Sequence, residues 1–386
     1  MKLHERLDSI LAAATAAGKV PGVVAAVATD DGVVYQGAHG VRALGRPEPM
    51  TNDTMFWIAS MTKAITSAAA LRLVARGALA LDEPLGGRVP HLARVQVLEG
   101  FDSEGRPRLR APSKPVTLRH LLTHTSGFVY NVWNATMARY QAARPAADPT
   151  TFAAYEMPLV FDPGERWDYG IGIDWAGVAI ETVTGQRLGA HLEEHFFGPL
   201  GMASTRFTLS ADQLARRAST HVRAPTGLTP VPLPPSVAPA LDTGGGGLYS
   251  TVPDYLRFVR MILAGGRSNG VTILAPQTIA LLRENQIGSL DVAPMRSGFP
   301  HVSNDCDFFP GIKAKWSLGF LINTERSAEG RSAGSLAWAG LPNCFYWIDP
   351  TKRVTGVLAT QIMPFCDVDA LALFRELERA VYASLS

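Results

Sequence analysis

Strand-forming segments lie near both ends of this chain and are scarce in its middle, and this distribution limits the folds that it can adopt. Near the amino terminus, two segments rich in Val and Ala, 22–29 and 32–38, flank an Asp-Gly turn, which predicts a β-hairpin. The last quarter of the chain contains four more apolar segments separated by turn residues: 317–323, 335–338, 344–348 and 353–359. We expect one antiparallel sheet that takes strands from both chain ends.

Helical patterns occur at the two termini and through the central part of the chain. Apolar residues keep helical spacing within 3–11 and again within 369–385, which predicts a helix at each end. We therefore expect an α+β fold in which terminal helices flank the sheet and the middle of the chain forms a helical insertion. The expected domains are an α/β domain from 1–85 and 310–386 and a helix-rich domain from 86–309. The active site is expected between them.

The sequence Ser60-Met-Thr-Lys63 opens an alanine-rich segment that predicts a helix to about residue 76. Residues three apart share a helix face, so the Ser60 hydroxyl and the Lys63 amine can meet. Free N–H groups at a helix start favour developing negative charge, and a desolvated lysine can take a serine's proton. The alternative for these four residues alone is an ordinary N-cap serine followed by a solvated lysine. The chain has only seven lysines and no second Ser-x-x-Lys, which favours the catalytic interpretation.

Two other motifs match patterns of catalytic sites, but we interpret both as structural. Residues 266–270 read Gly-Arg-Ser-Asn-Gly, the pattern of a nucleophile elbow, but that elbow needs a preceding strand, whereas here a predicted helix precedes the motif. We interpret the segment as a Gly/Asn-rich turn. His191 and His195 fall in a His-x-x-Glu-His pattern, but no third zinc ligand is identifiable, so a polar helix face is the preferred interpretation. No metal and no cofactor are predicted.

Composition excludes several classes of function. A formal net charge of +2 and the absence of a Lys/Arg cluster argue against nucleic-acid binding. No apolar run approaches the ~20 residues of a membrane span, so no membrane association is expected. Cys306, Cys344 and Cys366 are odd in number and lack Cys-x-x-Cys spacing, so we expect free thiols, no disulfide and a cytoplasmic location.

Several motifs together resemble those of serine β-lactamases of the class C type and of their esterase relatives, the family VIII carboxylesterases. They occur in the family's order over nearly the whole chain: Ser60-x-x-Lys63, His-Leu-Leu-Thr-His-Thr-Ser-Gly at 120–127, Pro-Gly-Glu-Arg-Trp-Asp-Tyr at 163–169, Gly-Pro-Leu-Gly-Met at 198–202 and Trp-Ala-Gly at 338–340. Segments 98–102 and 174–177 also resemble a fungal acyltransferase of the same superfamily.

The resemblance implies a β-lactamase/transpeptidase-like fold and acyl transfer through a serine ester. It implies that Ser60 is the nucleophile, that Lys63 and Tyr169 share proton transfer, and that the backbone N–H groups of Ser60 and Leu341 form the oxyanion hole. The family's Tyr-x-Asn motif has Ile171 at its third position here, which weakens expected contacts to a substrate amide. Burial could keep Lys63 neutral so that it acts as the base, or Tyr169 could be the base beside a cationic Lys63, and the sequence does not separate these assignments.

The third motif, usually Lys-Thr-Gly in β-lactamases, is Trp338-Ala339-Gly340, as in the esterases. We expect these three residues to contact the substrate. Three further aromatic residues of an irregular segment are expected to line the pocket: Phe128, Tyr130 and Trp133.

The expected function is a serine carboxylesterase for small, short-chain acyl esters, with possible acyltransferase activity. Two alternatives remain open: a β-lactamase or D,D-peptidase of the same fold, and a penicillin-binding module that is acylated without turnover. The sequence does not predict the oligomeric state.

Overall fold

The computed structural model describes residues 2–145, 151–232 and 240–385. The helices of these residues are α1 (Leu3–Ala16), α2 (Thr62–Ala75), α3 (Pro90–Ala93), α4 (Leu118–Leu122), α5 (Ala135–Ala142), α6 (Gly172–Thr184), α7 (Leu188–Leu192), α8 (Gly198–Leu200), α9 (Ala211–Ala215), α10 (Val252–Leu263), α11 (Pro276–Arg283) and α12 (Val368–Ser384). Short 3₁₀ turns occur at Ala59–Met61, Leu85–Gly87 and Phe152–Tyr155, and a π-helical turn follows α7 at Glu193–Phe197.

The strands are β1 (Gly22–Thr29), β2 (Val33–Gly40), β3 (Phe56–Trp57), β4 (Val97–Phe101), β5 (Pro107–Arg110), β6 (His221–Ala224), β7 (Gly227–Pro230), β8 (Tyr249–Ser250), β9 (Arg267–Ser268), β10 (Val271–Thr272), β11 (Ala314–Trp316), β12 (Leu321–Asn323), β13 (Leu336–Gly340), β14 (Cys344–Asp349), β15 (Val354–Ala359) and β16 (Ile362–Met363).

The main sheet has seven strands and is antiparallel throughout, in the order β11-β12-β13-β14-β15-β1-β2. Strand β1 lies between β2 and β15, with Val24 opposite Ala359, so the amino-terminal hairpin joins strands from the last quarter of the chain. The predicted sheet from both chain ends is therefore confirmed. Its antiparallel pairing was predictable because tight turns connect the successive strands β1–β2 and β13–β14–β15.

Helices cover both faces of this sheet. On β14, Phe345 and Trp347 contact Phe374 of α12, with ring centroids 4.8 and 5.8 Å apart, whereas Tyr346 between them contacts Tyr255 of α10 at 5.2 Å. Successive side chains of a strand point to opposite faces, so α12 and α10 lie on opposite sides of the sheet. Helix α1 packs against α12 and β2, which confirms the flanking terminal helices.

The central part of the chain differs from a purely helical insertion. Helix α10 falls within 86–309 but packs against β1, β14 and β15, so it belongs to the sheet's own layers. The first part of the Pro-rich segment 225–239 forms β7, which pairs with β6. Residues 233–239 of that segment lie outside the described residues. The expected division into domains at 86–309 stays a prediction.

The prediction of three free cysteines was wrong. Cys306 and Cys366, which are 60 positions apart in the sequence, form a disulfide with their Cα atoms 5.9 Å apart, while Cys344 is a buried free thiol. The two sulfurs meet because the segment around Ser303 pairs with Phe365, a long-range contact that cysteine spacing does not reveal. Among the helices of the described residues, none combines the length and apolar character that a membrane crossing requires.

Candidate active site

Ser60 lies in the 3₁₀ turn that leads directly into α2, where backbone N–H groups have no helical partner. The preceding residue, Ala59, has a φ of 42°, a conformation that non-glycine residues rarely adopt. Surrounding contacts hold this backbone in place, because Ile58 N–H donates to the Leu248 carbonyl at 3.1 Å and Tyr255 Oη donates to the Met61 carbonyl at 2.9 Å. Backbone strain held by its surroundings is typical of a functional position.

The Lys63 amine is fully buried and points at Ser60. Its Nζ lies 3.1 Å from Ser60 Oγ and 3.1 Å from Tyr130 Oη, and it also donates to the Gly245 carbonyl. Three oxygens match the three N–H bonds of an ammonium group, and two of the oxygens belong to hydroxyls that can donate to a neutral amine instead. The contacts therefore accommodate both protonation states, and both assignments of the base remain.

Tyr169 lies beside Tyr130, with the two ring centroids 5.3 Å apart, and its own ring centroid is 5.0 Å from Lys63 Nζ. Its hydroxyl accepts a hydrogen bond of 3.1 Å from Trp338 Nε1. An indole N–H can only donate, so the Tyr169 oxygen is the acceptor in this contact and its own O–H remains available to another partner. The Tyr169 backbone is held too, because its carbonyl accepts from Tyr130 N–H at 3.1 Å.

The His124 ring packs against the ring of Tyr169. Its ring centroid is 4.7 Å from that of Tyr169, and its Nδ1 accepts from Gly170 N–H at 3.4 Å. Burial first, and then the charge of Lys63, holds the pKa of His124 well below its usual value, so the ring is neutral. A neutral ring with Nδ1 as acceptor carries its proton on Nε2.

The end of β13 brings Leu341 to Ser60. A side chain at Gly340 would meet the Ile58 carbonyl at 2.3 Å, so the strand approaches the Ser60 turn more closely than a residue with a Cβ could. Ala339 is buried within β13, and Leu341 lines the same cavity as Ser60. This placement brings together the two residues whose N–H groups are predicted to form the oxyanion hole.

The cavity beside Ser60 has a volume of about 190 Å³ and a largely apolar wall. Its lining comprises Trp57, Ala59, Ser60, Tyr130, Val132, Trp133, Tyr169, Gly245, Gly246, Val302 and Leu341. Tyr130 and Trp133 thus lie where substrate contacts were expected. Trp133 is anchored by donating from Nε1 to Ser303 Oγ at 3.1 Å.

The other four predicted substrate contacts are not among the residues that line this cavity: Trp338, Ala339, Gly340 and Phe128. Trp338 is buried behind Tyr169, with its ring centroid 4.7 Å from that of Trp316, and it borders a separate cavity of about 60 Å³. Phe128 is buried against Trp175 with the rings stacked at 5.8 Å, and it borders a third cavity. The structure therefore places both rings in supporting positions beside the residues that line the Ser60 cavity.

The two alternative motifs remain apart from this site. Ser268 lies in the short β9–β10 hairpin, with a turn at Asn269 and Gly270, as the turn interpretation predicted. His191 and His195 are neighbours, with rings 4.5 Å apart, and His191 Nδ1 faces Gln186 Oε1 at 3.3 Å. No group of three potential metal-ligating residues occurs in the described parts of the chain.

Sequence reasoning missed one member of the site, Asp174, which was noted only as part of a resemblance. Its carboxylate is buried in the first turn of α6 and accepts from Gly245 N–H at 2.8 Å, next to the Gly245 carbonyl that contacts Lys63. The available signal was its position five residues after Tyr169, at the start of a helix whose other first-turn residues are uncharged.

The family model for Beta-lactamase matches residues 7–379. The chain belongs to this family. Membership and the observed sheet with flanking helices establish the β-lactamase/transpeptidase-like fold that the motifs implied.

This chain aligns with most of the length of several curated relatives. It is similar to monacolin J acid methylbutanoyltransferase from Aspergillus terreus, with 32% identity over 95% of this chain and 92% of the relative. It is also similar to lovastatin esterase from Penicillium rubens, with 31% identity over 95% of each protein. Among solved structures, unliganded simvastatin synthase from Aspergillus terreus superposes with a TM-score of 0.86 at 29% identity, covering 100% of this chain and 99% of that one.

Proposed function

We propose that this protein is a serine carboxylesterase for small, uncharged esters with short acyl groups, and that it also passes the acyl group to an alcohol. The observation that carries the proposal is the 3.1 Å contact between Lys63 Nζ and Ser60 Oγ at the floor of an apolar cavity. Relatives whose names denote an acyltransferase and an esterase support both outcomes for the acyl group.

In the proposed reaction, Ser60 Oγ bonds to the ester carbonyl carbon as its proton leaves toward Lys63 or Tyr169. The carbonyl oxygen becomes an oxyanion that accepts from the Ser60 and Leu341 N–H groups, which stabilise the negative charge as it develops. The alkoxide then leaves and takes up a proton from the same Lys63–Tyr169 pair. Water or an alcohol repeats these steps on the acyl-enzyme and frees Ser60.

The cavity wall supports uncharged substrates. Of the residues that line it, none carries a Lys, Arg, Asp or Glu side chain, and Lys63 lies beneath the floor among its three oxygen partners. A substrate carboxylate would lose water there without gaining a charged partner. The volume of about 190 Å³ suits a small acyl group and part of an alcohol.

The test compares steady-state hydrolysis of p-nitrophenyl butyrate with that of a chromogenic cephalosporin, and repeats the ester assay with a short-chain alcohol added. The proposal expects rapid ester hydrolysis, slow or absent cephalosporin turnover, and a new ester in the presence of the alcohol. Faster cephalosporin turnover would point to a β-lactamase. Acylation of Ser60 without turnover of either compound would point to a penicillin-binding module.

A further inference from the structure

Asp174 is a buried carboxylate with an unusual set of partners. It is 4% exposed, and its Oδ1 accepts from the Gly245 N–H at 2.8 Å. Within the described part of the chain, no Arg, Lys or His side chain forms an ion pair with it. Buried carboxylates are costly unless hydrogen bonds or a nearby cation compensate the lost hydration, so the surroundings of Asp174 call for an explanation.

The backbone of Gly245 connects Asp174 to Lys63. Gly245 N–H donates to the carboxylate, and the carbonyl of the same residue accepts from Lys63 Nζ. A side chain at Gly245 would meet Asp174 Oδ2 at 2.2 Å, so only glycine allows this close approach. Thr66 Oγ1 fixes the neighbouring peptide by donating to the Gly244 carbonyl at 2.8 Å. Asp174 thereby holds the backbone segment that receives Lys63.

The charges of the two groups are linked as well. Burial raises the pKa of Asp174, and the positive charge of Lys63 opposes that rise. Burial chiefly, and Asp174 in addition, holds the pKa of Tyr130 well above its usual value, so this partner of Lys63 stays a neutral phenol. The titratable groups that face Lys63 are Tyr130, Tyr169, His124 and Asp174. His124 is neutral, so Asp174 is the group among these four that is suited to carry the balancing negative charge.

We propose that Asp174 is a positioning residue for Lys63: it fixes the Gly245 carbonyl on the amine and supplies the counter-charge for the cationic form of Lys63. This inference rests on the proposed function. It holds for either assignment of the base. If Lys63 takes the Ser60 proton, it becomes a cation during acylation, and if Tyr169 does, Lys63 is a cation throughout.

The competing explanation is that Asp174 only stabilises the start of α6, as acidic residues in a first helical turn often do. Asp254 provides a matched control, because it is also 4% exposed, lies in the first turn of α10 and accepts from a backbone N–H, that of Ser204, at 2.7 Å. Asp174→Asn removes the charge while keeping an oxygen for Gly245. Asp174→Ala removes both the charge and the hydrogen bond.

The experiment measures kcat/KM for p-nitrophenyl butyrate from acid to alkaline pH in wild type, Asp174→Asn, Asp174→Ala and Asp254→Asn. Asp174→Asn removes the negative charge that faces the Lys63 amine, so one limb of the kcat/KM profile should move toward lower pH. Asp174→Ala should show the same shift and a further loss of kcat of about tenfold, because the Gly245 carbonyl is no longer fixed. Asp254→Asn should lose stability while keeping the wild-type profile. A wild-type profile in Asp174→Asn contradicts the proposal.

A second measurement applies even when the Asp174 variants do not fold. In Lys63→Met, the carboxylate loses its cation, and we expect Asp174 to bind a proton at neutral pH. Infrared difference spectroscopy should then show a protonated carboxylic acid that is absent from wild type, and the absence of that band contradicts the proposal. Failure of the proposed function would appear differently, as a wild-type protein without ester hydrolysis or Ser60 labelling.

Discussion

The indole N–H of Trp338 donates to the Tyr169 hydroxyl oxygen across 3.1 Å, in a contact that is buried on both sides. By the motif resemblance, Trp338 corresponds to the lysine of the usual Lys-Thr-Gly motif of β-lactamases. In this protein the residue therefore contacts a proposed proton-transfer group, where a lysine would offer a cation to a substrate carboxylate. A tryptophan at this position therefore offers no cation to a substrate carboxylate, and it donates a hydrogen bond to Tyr169.

Replacing Trp338 by Phe keeps an aromatic ring and removes this donor. Hydrogen bonds to a charged group contribute about 1.5–3 kcal/mol, so kcat for p-nitrophenyl butyrate should fall by about tenfold to a hundredfold while KM changes little. Trp347→Phe is the control, because Trp347 is an equally buried indole that packs on Phe374 in the main sheet. Equal losses of kcat in both variants would mean that the loss comes from disturbed packing of a buried ring and not from the missing hydrogen bond to Tyr169.

The two tyrosines beside Lys63 should differ in importance. Tyr169→Phe removes a proposed proton-transfer group and should lower kcat/KM by about a hundredfold to ten thousandfold. Tyr130→Phe removes one hydrogen-bond partner of Lys63 and should cost about tenfold. Steady-state kinetics of both variants checks this order. The reverse order would make Tyr130, whose Oη lies 3.1 Å from Lys63 Nζ, the proton-transfer group.

Acid should destabilise the protein through buried histidines. Burial first, and then neighbouring His195 and Arg72, lower the pKa of His191 from 6.5 to about 4. Below pH 6.5 the unfolded chain binds this proton and the folded chain does not until about pH 4. The free energy of unfolding should therefore fall as the pH falls through this window, by up to about 1.4 kcal/mol per unit for this residue.

Denaturant unfolding of His191→Gln between pH 6.5 and 4.5 measures this contribution. The variant should show a shallower loss of stability with acid than wild type, whereas His301→Gln, at an exposed position, should follow the wild-type slope. Identical slopes for wild type and His191→Gln would show that His191 is protonated in the folded state.

EDTA should not alter activity, since His191 and His195 are interpreted as structural.

A cation placed in the cavity wall should change substrate choice. Val302 lines the Ser60 cavity, and Val302→Arg should raise the ratio of cephalosporin to p-nitrophenyl butyrate kcat/KM by about tenfold, through a charge-assisted contact to the carboxylate. Val302→Met is the neutral control. Arg296, which is exposed and paired with Asp305 at 2.8 Å, offers no such contact from its observed position. A wild-type ratio near one would contradict the proposed preference for uncharged esters.

The local parts of the fold were predictable from the sequence. The Asp-Gly hairpin, the helix after Ser60 and the carboxyl-terminal strands depend on turn residues and periodicity within short segments. Helix α6 ends at Gly185 with a φ of 68°, a left-handed conformation that glycine adopts readily at helix ends. That strands from both chain ends share one sheet was predictable, because both ends carried strand patterns that needed partners.

The parts that were not predictable depend on contacts between distant segments. Three contacts join residues at least 60 positions apart: the Cys306–Cys366 disulfide, the hydrogen bond from Trp338 to Tyr169, and the hydrogen bond from Gly245 to Asp174. A single sequence records the residue types and not these pairings. In the same way, Tyr130 was recognised as a pocket aromatic, and only the three-dimensional arrangement places its hydroxyl on Lys63.

The central claim is that Ser60 carries the acyl group, and intact-protein mass spectrometry with peptide mapping tests it after reaction with a p-nitrophenyl alkylphosphonate. Wild type should gain one phosphonyl group on the peptide that contains Ser60, and Ser268→Ala should gain the same group at a similar rate. Ser60→Ala should remain unlabelled and inactive toward p-nitrophenyl butyrate. Labelling of Ser60→Ala at another residue, with ester hydrolysis retained, would contradict the account.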